Sequence, residues 1–258
     1  MENIITITSV KGGVGKSTMA LNLAGVYAFQ GKKVLIIDMD LYSSSIAASL
    51  NLDPANDFYT LSDDVSNNRF TDLSRYVTKY NDQIDVIAGP KDVRVANRIS
   101  SSCIQPILNK ASILYDVVIV DTNHFINELN LTLLQNSDQI LYVITNDPID
   151  LKNMRSMVSI YKDMGRDNYS ILLNESTGKS KHLYKKNDVD KYIKHNIEFY
   201  VSDKFYIKNI SKYIMEGKII TLDKKARSSY RKGISDIGYM ALKLLIDKNK
   251  EEWLWQIL

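Results

Sequence analysis

Apolar residues in this chain come in short unbroken runs rather than in strict alternation. Residues 3–8, 33–38, 84–88, 116–121, 138–144 and 169–174 are rich in Ile and Val, the pattern of strands buried on both faces. Amphipathic stretches lie between several of them, including 17–30 and 148–164. In the second, Pro148 stands at a helix start with Asp147 before it as a cap. Strand and helix taken in turn predict an α/β fold, a doubly wound, mostly parallel sheet with right-handed crossovers and helices on both faces. Residues 51–83 are polar and irregular, read as surface helix and loop, and 175–188 form a Ser/Lys/Asn-rich loop. From about 204 to 249 the pattern is helical again, with a break near Gly217. With no internal repeat and no convincing linker, residues 1–258 are expected to form one domain.

Composition narrows the class without naming a task. A chain of 258 residues with 45% hydrophobic and 24% charged residues can bury one large core. A net charge of +3 permits weak attraction to nucleic acid or anionic lipid and demands neither. The single cysteine, Cys103, excludes an internal disulfide and fits a reducing compartment. No apolar run approaches membrane-spanning length, and a strand beginning almost at Met1 leaves no room for a signal peptide, so the expected address is cytoplasmic.

The chemistry concentrates in residues 9–18, Ser-Val-Lys-Gly-Gly-Val-Gly-Lys-Ser-Thr, between an apolar run and a helix start near Ser17. Strand, glycine turn and helix N-terminus gather backbone N–H groups around one point, where the helix dipole favours negative charge. Gly12, Gly13, Val14 and Gly15 would cradle phosphate oxygens. Lys16 would reach the β- and γ-phosphates, Ser17 would offer its hydroxyl to Mg²⁺, and Thr18 would support an oxygen nearer the sugar. The standard P-loop has glycine five positions before Gly15, where this chain has Val10, and a second lysine, Lys11, follows it. The loop thereby resembles the deviant Walker A motif of the ParA/MinD family, Lys-Gly-Gly-x-Gly-Lys-[Ser/Thr], which implies a P-loop NTPase of the SIMIBI type. The resemblance implies ATP as ligand and a homodimer in the ATP state. It also implies that Lys11 crosses the interface to the partner's phosphates, doing there the work of an arginine finger.

Two further constellations sit at strand ends. Val34-Leu-Ile-Ile-Asp38-Met-Asp40 matches the family's Asp-x-Asp motif, which implies that Asp40 positions the attacking water and Asp38 organises the Mg²⁺ hydration shell. Tyr115-Asp-Val-Val-Ile-Val-Asp121 reads as Walker B, with Asp121 holding the metal through a water. Asp116 is read as capping or ending the preceding helix.

The segment from Asp121 to Asp138 lacks the usual proline turn of the family and looks like the CpaE/TadZ branch, whose members help localise pilus and tight-adherence machinery. The receiver-like domain that precedes the ATPase in that branch is missing from this sequence. His124 is read as a hydrogen-bonded switch-loop residue, and the scattered His124, His182 and His195 do not suggest zinc. Asn174 matches the position where the family reads the adenine edge, and the segment at Ser202 and Asp203 takes the place of its proline-containing adenine loop. Two basic stretches, Lys179 to Lys186 and Lys224–Arg227 with Arg231-Lys232, are read as solvated faces or as nonspecific DNA contacts. Glu251-Glu-Trp-Leu-Trp-Gln-Ile-Leu258 takes the position of the membrane-targeting helix in MinD but lacks its cationic face, so the tryptophans are expected to pack on the body or on a partner.

These readings converge on a Mg²⁺-dependent, slowly hydrolysing ATPase whose output is a change of oligomeric state. The implied task is positioning a pilus or secretion machine together with a protein effector, at the inner face of the membrane or a cell pole. The alternatives are a partition ATPase bound to nonspecific DNA, a bacterial tyrosine kinase and a non-hydrolysing scaffold. The 16 tyrosines invite the kinase reading, but the chain ends in tryptophans and aliphatics rather than clustered tyrosines. One cysteine argues against a shared iron–sulfur cluster.

Overall fold

The computed structural model describes residues 3–177 and 184–245. Its first half runs β1 (Ile4–Thr8), α1 (Lys16–Phe29), β2 (Val34–Met39), α2 (Ile46–Ser49), α3 (Phe58–Ser66), β3 (Thr78–Lys79), β4 (Ile84–Ile87) and α4 (Ile104–Leu114). Then come β5 (Val117–Thr122), α5 (Glu128–Gln135), β6 (Gln139–Ile144), α6 (Pro148–Asp163), β7 (Tyr169–Asn174) and α7 (Lys186–Ile193). The described chain closes with β8 (Phe199–Val201), α8 (Ile210–Met215), α9 (Lys224–Ser229) and α10 (Arg231–Leu244). The strands form one sheet in the order β3-β4-β2-β5-β1-β6-β7-β8, parallel throughout except for the short antiparallel edge β3.

Unbroken apolar strands make sense because each feeds two cores. Ile5, Ile7, Val34, Ile36, Val117, Ile119, Leu141 and Val143 face α1 and α10. The alternate residues Leu35, Ile37, Val118 and Val120 face α3 and α4. Ile140, Tyr142, Ile144, Ile171 and Leu173 face α6 and α7. Each such side chain removed from water contributes about 1.5–3 kcal/mol, so the central strands are anchored from both sides and their carboxyl ends are held in a fixed row. Helix α1 is tied down along its length. Thr221 donates through its N–H to Asn22 Oδ1 and through its hydroxyl to the Asn22 carbonyl, and the Tyr27 hydroxyl donates to the Ala241 carbonyl at 2.9 Å. A Cβ on Gly25 would come within 2.2 Å of Thr221, so only glycine lets α1 lie this close to the segment before α9.

The six anticipated strands and both anticipated helices are present within one or two residues, the usual looseness of element ends. The break near Gly217 is real: α8 stops at Met215, and Gly217 has φ +61° against the Leu50 carbonyl. Three features were not legible. β8 and β3 are too short to show a period. Helix α3, inside the stretch read as surface, buries Phe58 and Leu61 in the core while Asp57 caps its N-terminus. Asp116 does not cap a helix; its carboxylate accepts from the Lys33 N–H at 2.7 Å and ties the start of β5 to that of β2. Among the described residues no helix is long and apolar enough to cross a membrane.

Candidate functional site

Residues 9–17 leave β1, turn over the carboxyl end of the sheet and enter α1. The turn needs left-handed backbone at Gly13 (φ +76°) and Gly15 (φ +97°), conformations that side chains with a Cβ rarely adopt. Gly15 is also the N-cap of α1 and sits where a Cβ would meet the Asn174 amide at 2.7 Å. Val14 is the loop's anchor: its side chain enters the core and its carbonyl accepts from Asn174 Nδ2 at 2.8 Å. The Ser9 hydroxyl donates to the Lys11 carbonyl at 2.7 Å, closing the other side of the turn. With no side-chain cap on α1, the first N–H groups of the helix remain available to an anion. Lys16 is buried and Ser17 and Thr18 half-buried in that first turn.

The two strand-end aspartates, both fully buried, face different surroundings. Asp38 accepts from the Ser44 hydroxyl (2.8 Å), Ser45 N (2.9 Å) and Ile46 N (3.0 Å) through Oδ2, and from Asp40 N (3.1 Å) through Oδ1. It fastens the loop that carries Asp40 to the N-terminus of α2. Asp121 lies opposite it in register on β5; the Ser17 hydroxyl is its nearest donor, and among the described residues neither carboxylate oxygen has a partner at good hydrogen-bond geometry. Burial first, and the Asp38 charge second, push the Asp121 carboxyl up to about 8, against the pull of Ser17 and Lys16. Burial raises Asp38 too, but its four donors favour the carboxylate. A divalent cation satisfies such a group better than any neighbour in the chain does, and the donor set of one buried carboxylate beside the Ser17 hydroxyl suits Mg²⁺ completed by phosphate oxygens and water. Among the described residues no three His, Cys, Asp or Glu side chains gather into a metal site of their own.

Lys11 stands apart from Lys16. Its ammonium is partly exposed and pairs with Asp147 Oδ1 at 3.1 Å. Asp147 caps α6, accepting from Ile149 N (3.0 Å) and Asp150 N (3.1 Å), and the Asp150 N–H first and Lys11 next hold its carboxyl below the usual range. Beneath it Asp150 is fully buried; one oxygen takes Thr145 N and Oγ1, the other has no partner, and burial raises the group to about 6. The sequence assigns Asp147 only a helix cap and assigns Asp150 nothing. The missed signal is an acidic pair one turn apart directly after a central strand, which brings both to the same edge as the P-loop.

After Asp121 the chain turns through an asparagine clamp. Asn123 Oδ1 accepts from Phe125 N and Asn130 Nδ2, and Asn130 Nδ2 also donates to the Phe125 carbonyl. These bonds do the work expected of His124, whose exposed ring instead stacks on Phe125 at 4.4 Å between centroids and lies beside Gly12. Asn174 is buried, its amide committed to Val14 and its carbonyl to the Ser176 N–H and hydroxyl. A cleft of about 120 Å³ opens next to it between Gly15, Thr18, Phe205, Tyr206 and Ile207. Ser202 turns away from that cleft and donates through N–H and hydroxyl to Asp236.

A profile of the AAA_31 family (AAA domain) matches residues 2–174. The chain belongs to this family. The match takes in the P-loop, Asp38, Asp40, Asp121 and Asn174 but not the segment at Ser202 and Asp203. This AAA_31 chain is 24% identical over 179 residues to an uncharacterized ATP-binding protein of Methanocaldococcus jannaschii, covering 69% of the chain and 66% of that relative's length. Its fold matches the cell division ATPase MinD of Pyrococcus furiosus with a TM-score of 0.78 and 19% identity, over 95% of this chain and 100% of that one. The septum site-determining protein MinD of Pyrococcus horikoshii, complexed with Mg-ADP, matches with a TM-score of 0.75 and 18% identity, again over 95% and 100%. The likeness at that identity is one of fold: a P-loop NTPase architecture with an eight-stranded, mostly parallel sheet.

Of the remaining expectations, Lys224, Lys225, Arg231 and Lys232 of the AAA_31 chain are exposed on α9 and α10, and Arg227 covers the Phe29 ring at 4.3 Å. Lys179 to His182 and Glu251 to Leu258 lie outside the described residues.

Proposed function

We propose that this protein is a Mg²⁺-dependent ATPase that pairs with a second copy in its ATP state and is switched by hydrolysis. The observation that carries this reading is the unequal placement of its two loop lysines. Lys16 is buried in the first turn of α1, whereas Lys11 stands at the rim in a partly exposed ion pair. Such a pair is worth about 1 kcal/mol at most, so Lys11 can leave Asp147 for a triphosphate presented across an interface. Bound Mg²⁺ would supply neutralisation of charge on the phosphate oxygens. The N–H groups of Gly12 to Gly15 orient those oxygens, Lys16 and the partner's Lys11 stabilise the transferring phosphoryl group, and Ser17 with Asp121 would hold the ion. Asp38 fixes the loop from which Asp40 positions the water, and Asn174 holds the Val14 carbonyl beside the cleft that would take the base. Turnover is slow in isolation, because one of its cations comes from outside the chain.

The cellular task that fits is placement of an envelope machine of pilus or secretion type, as in the CpaE/TadZ branch, with residues 1–258 acting as one cytoplasmic unit recruited by a protein effector. The Asp121 to Asp138 segment supports it. The exposed cations of α9 and α10 favour a second reading, a partition ATPase on nonspecific DNA. Sizing by light scattering with ADP and with ATP tests the switch: ATP should dimerise wild type, Lys11→Ala should stay monomeric, and Asp40→Ala should dimerise without releasing phosphate. A Lys11→Ala protein that dimerises and hydrolyses normally overturns the reading. Co-sedimentation with DNA at two salt concentrations separates the two tasks.

A further inference from the structure

The His124 imidazole is a polar group at the P-loop that no neighbour uses. Asn123 and Asn130 hold the turn after β5, while the His124 ring stacks on Phe125 and, among the described residues, has no hydrogen bond at either nitrogen. Phe125 is braced in turn by the edge of Tyr42, at 6.5 Å and 87° between rings, from the loop that follows Asp40. Stacking therefore places the ring and leaves its nitrogens for something else.

Gly12 shows which way those nitrogens face. A Cβ built on Gly12 would meet His124 Cε1 at 3.4 Å, Nδ1 at 3.5 Å and Nε2 at 4.0 Å, so the ring turns its N–C–N edge to the loop. Either neutral tautomer keeps one N–H on that edge. The next position is clear: nothing lies within 4 Å of where a Cβ on Gly13 would be. The cleft that would take the base adjoins Gly15, Thr18 and Asn174, at the other end of the same turn. A phosphate chain that leaves this cleft and follows the loop N–H groups reaches Gly12 with its last phosphoryl group. Lys11 is paired with Asp147 there, which leaves the His124 ring as a donor that the chain itself supplies at that end.

We propose that His124 tells a nucleoside triphosphate from a diphosphate: its imidazole N–H bonds an oxygen of the terminal phosphoryl group and finds no partner in the diphosphate complex. This rests on the reading of the P-loop as a nucleotide site and adds a contact that, unlike that of Lys11, needs no second copy. Calorimetric titration with Mg²⁺ and either ADP or AMP-PNP tests it, in wild type and in Lys11→Ala. His124 is exposed, so its truncation spares the core. His124→Ala should weaken AMP-PNP binding about tenfold, the scale of one hydrogen bond to a charged group, and leave ADP binding unchanged. His124→Asn, which keeps an N–H near the Nδ1 position, should recover part of the loss. The loss should be the same in the Lys11→Ala background, because the contact lies within the chain. In NMR spectra of the imidazole nitrogens, the His124 signal, assigned by its absence from His124→Ala, should move with AMP-PNP and not with ADP. AMP-PNP affinity that His124→Ala leaves unchanged overturns the proposal while the nucleotide reading stands. So does a loss shared equally by ADP, which makes the ring a structural support, or a loss seen only where Lys11 is present, which sets His124 against a partner copy. Failure of wild type to bind either nucleotide overturns both.

Discussion

The two edges of the sheet use the same residue types to opposite ends. At the amino edge Asp138 accepts from the N–H groups of Asn3 and Ile4, Asp116 from Lys33, Asn3 donates to the Tyr115 carbonyl, and Asn168 to the Ser137 carbonyl. Every one of these closes the start of a strand. At the carboxyl edge Asp121 and one oxygen of Asp150 are buried with no donor at good hydrogen-bond geometry among the described residues, and Lys11 is held only by a partly exposed pair. One edge spends its polar groups on the fold, and the other holds them for something outside the chain. An unsatisfied buried acceptor costs about 1–3 kcal/mol, a cost the saturated edge and the two-sided core absorb.

Breaking the contrast at its sharpest point should have the largest effect. Asp121→Asn keeps the shape and removes the charge; phosphate release in the presence of Mg²⁺ should fall by two orders of magnitude or more, roughly the scale of losing one transition-state electrostatic partner. The same variant without nucleotide should melt at a higher temperature than wild type near neutral pH, since a buried amide needs no proton taken up on folding. A lower melting temperature would mean that Asp121 is a structural residue after all. Asp38→Ala should behave oppositely, leaving the Ser45 and Ile46 N–H groups without an acceptor at a cost of about 3 kcal/mol in urea unfolding.

At the other edge, Asp138→Ala should lose about 2 kcal/mol of stability while the activity per folded molecule is unchanged. Loss of activity beyond the unfolded fraction would blur the division of labour between the edges. The gentlest probe is pH. Asp121 has a folded pKa of about 8, above the ordinary value of 3.8, so from about pH 4 to 8 the folded state binds more protons than the unfolded one. Its contribution to stability is fully present below that window and declines as pH rises through it. Melting curves of the nucleotide-free protein should show a slope that Asp121→Asn flattens; identical slopes in the two proteins would place the proton elsewhere.

The amino-acid order by itself determined the strand cores and the glycine loop. Unbroken Ile/Val runs admit only strands buried on two faces, and left-handed backbone at Gly13 and Gly15 is a local demand that needs no neighbour. It also put Asp38 and Asp121 at strand ends, where parallel packing must bring them to one edge. Only the tertiary structure decided which of them is spoken for. Four donors reach Asp38 from the loop that follows it, whereas Asp121 has only the Ser17 hydroxyl nearby, because hydrogen-bond supply depends on how β2, β5 and α2 pack rather than on the strand that carries the residue. For the same reason the pairing of Lys11 with Asp147, 136 positions away, and the seating of the His124 ring against Gly12 left no period or spacing to read. They exist only where separate elements meet in space.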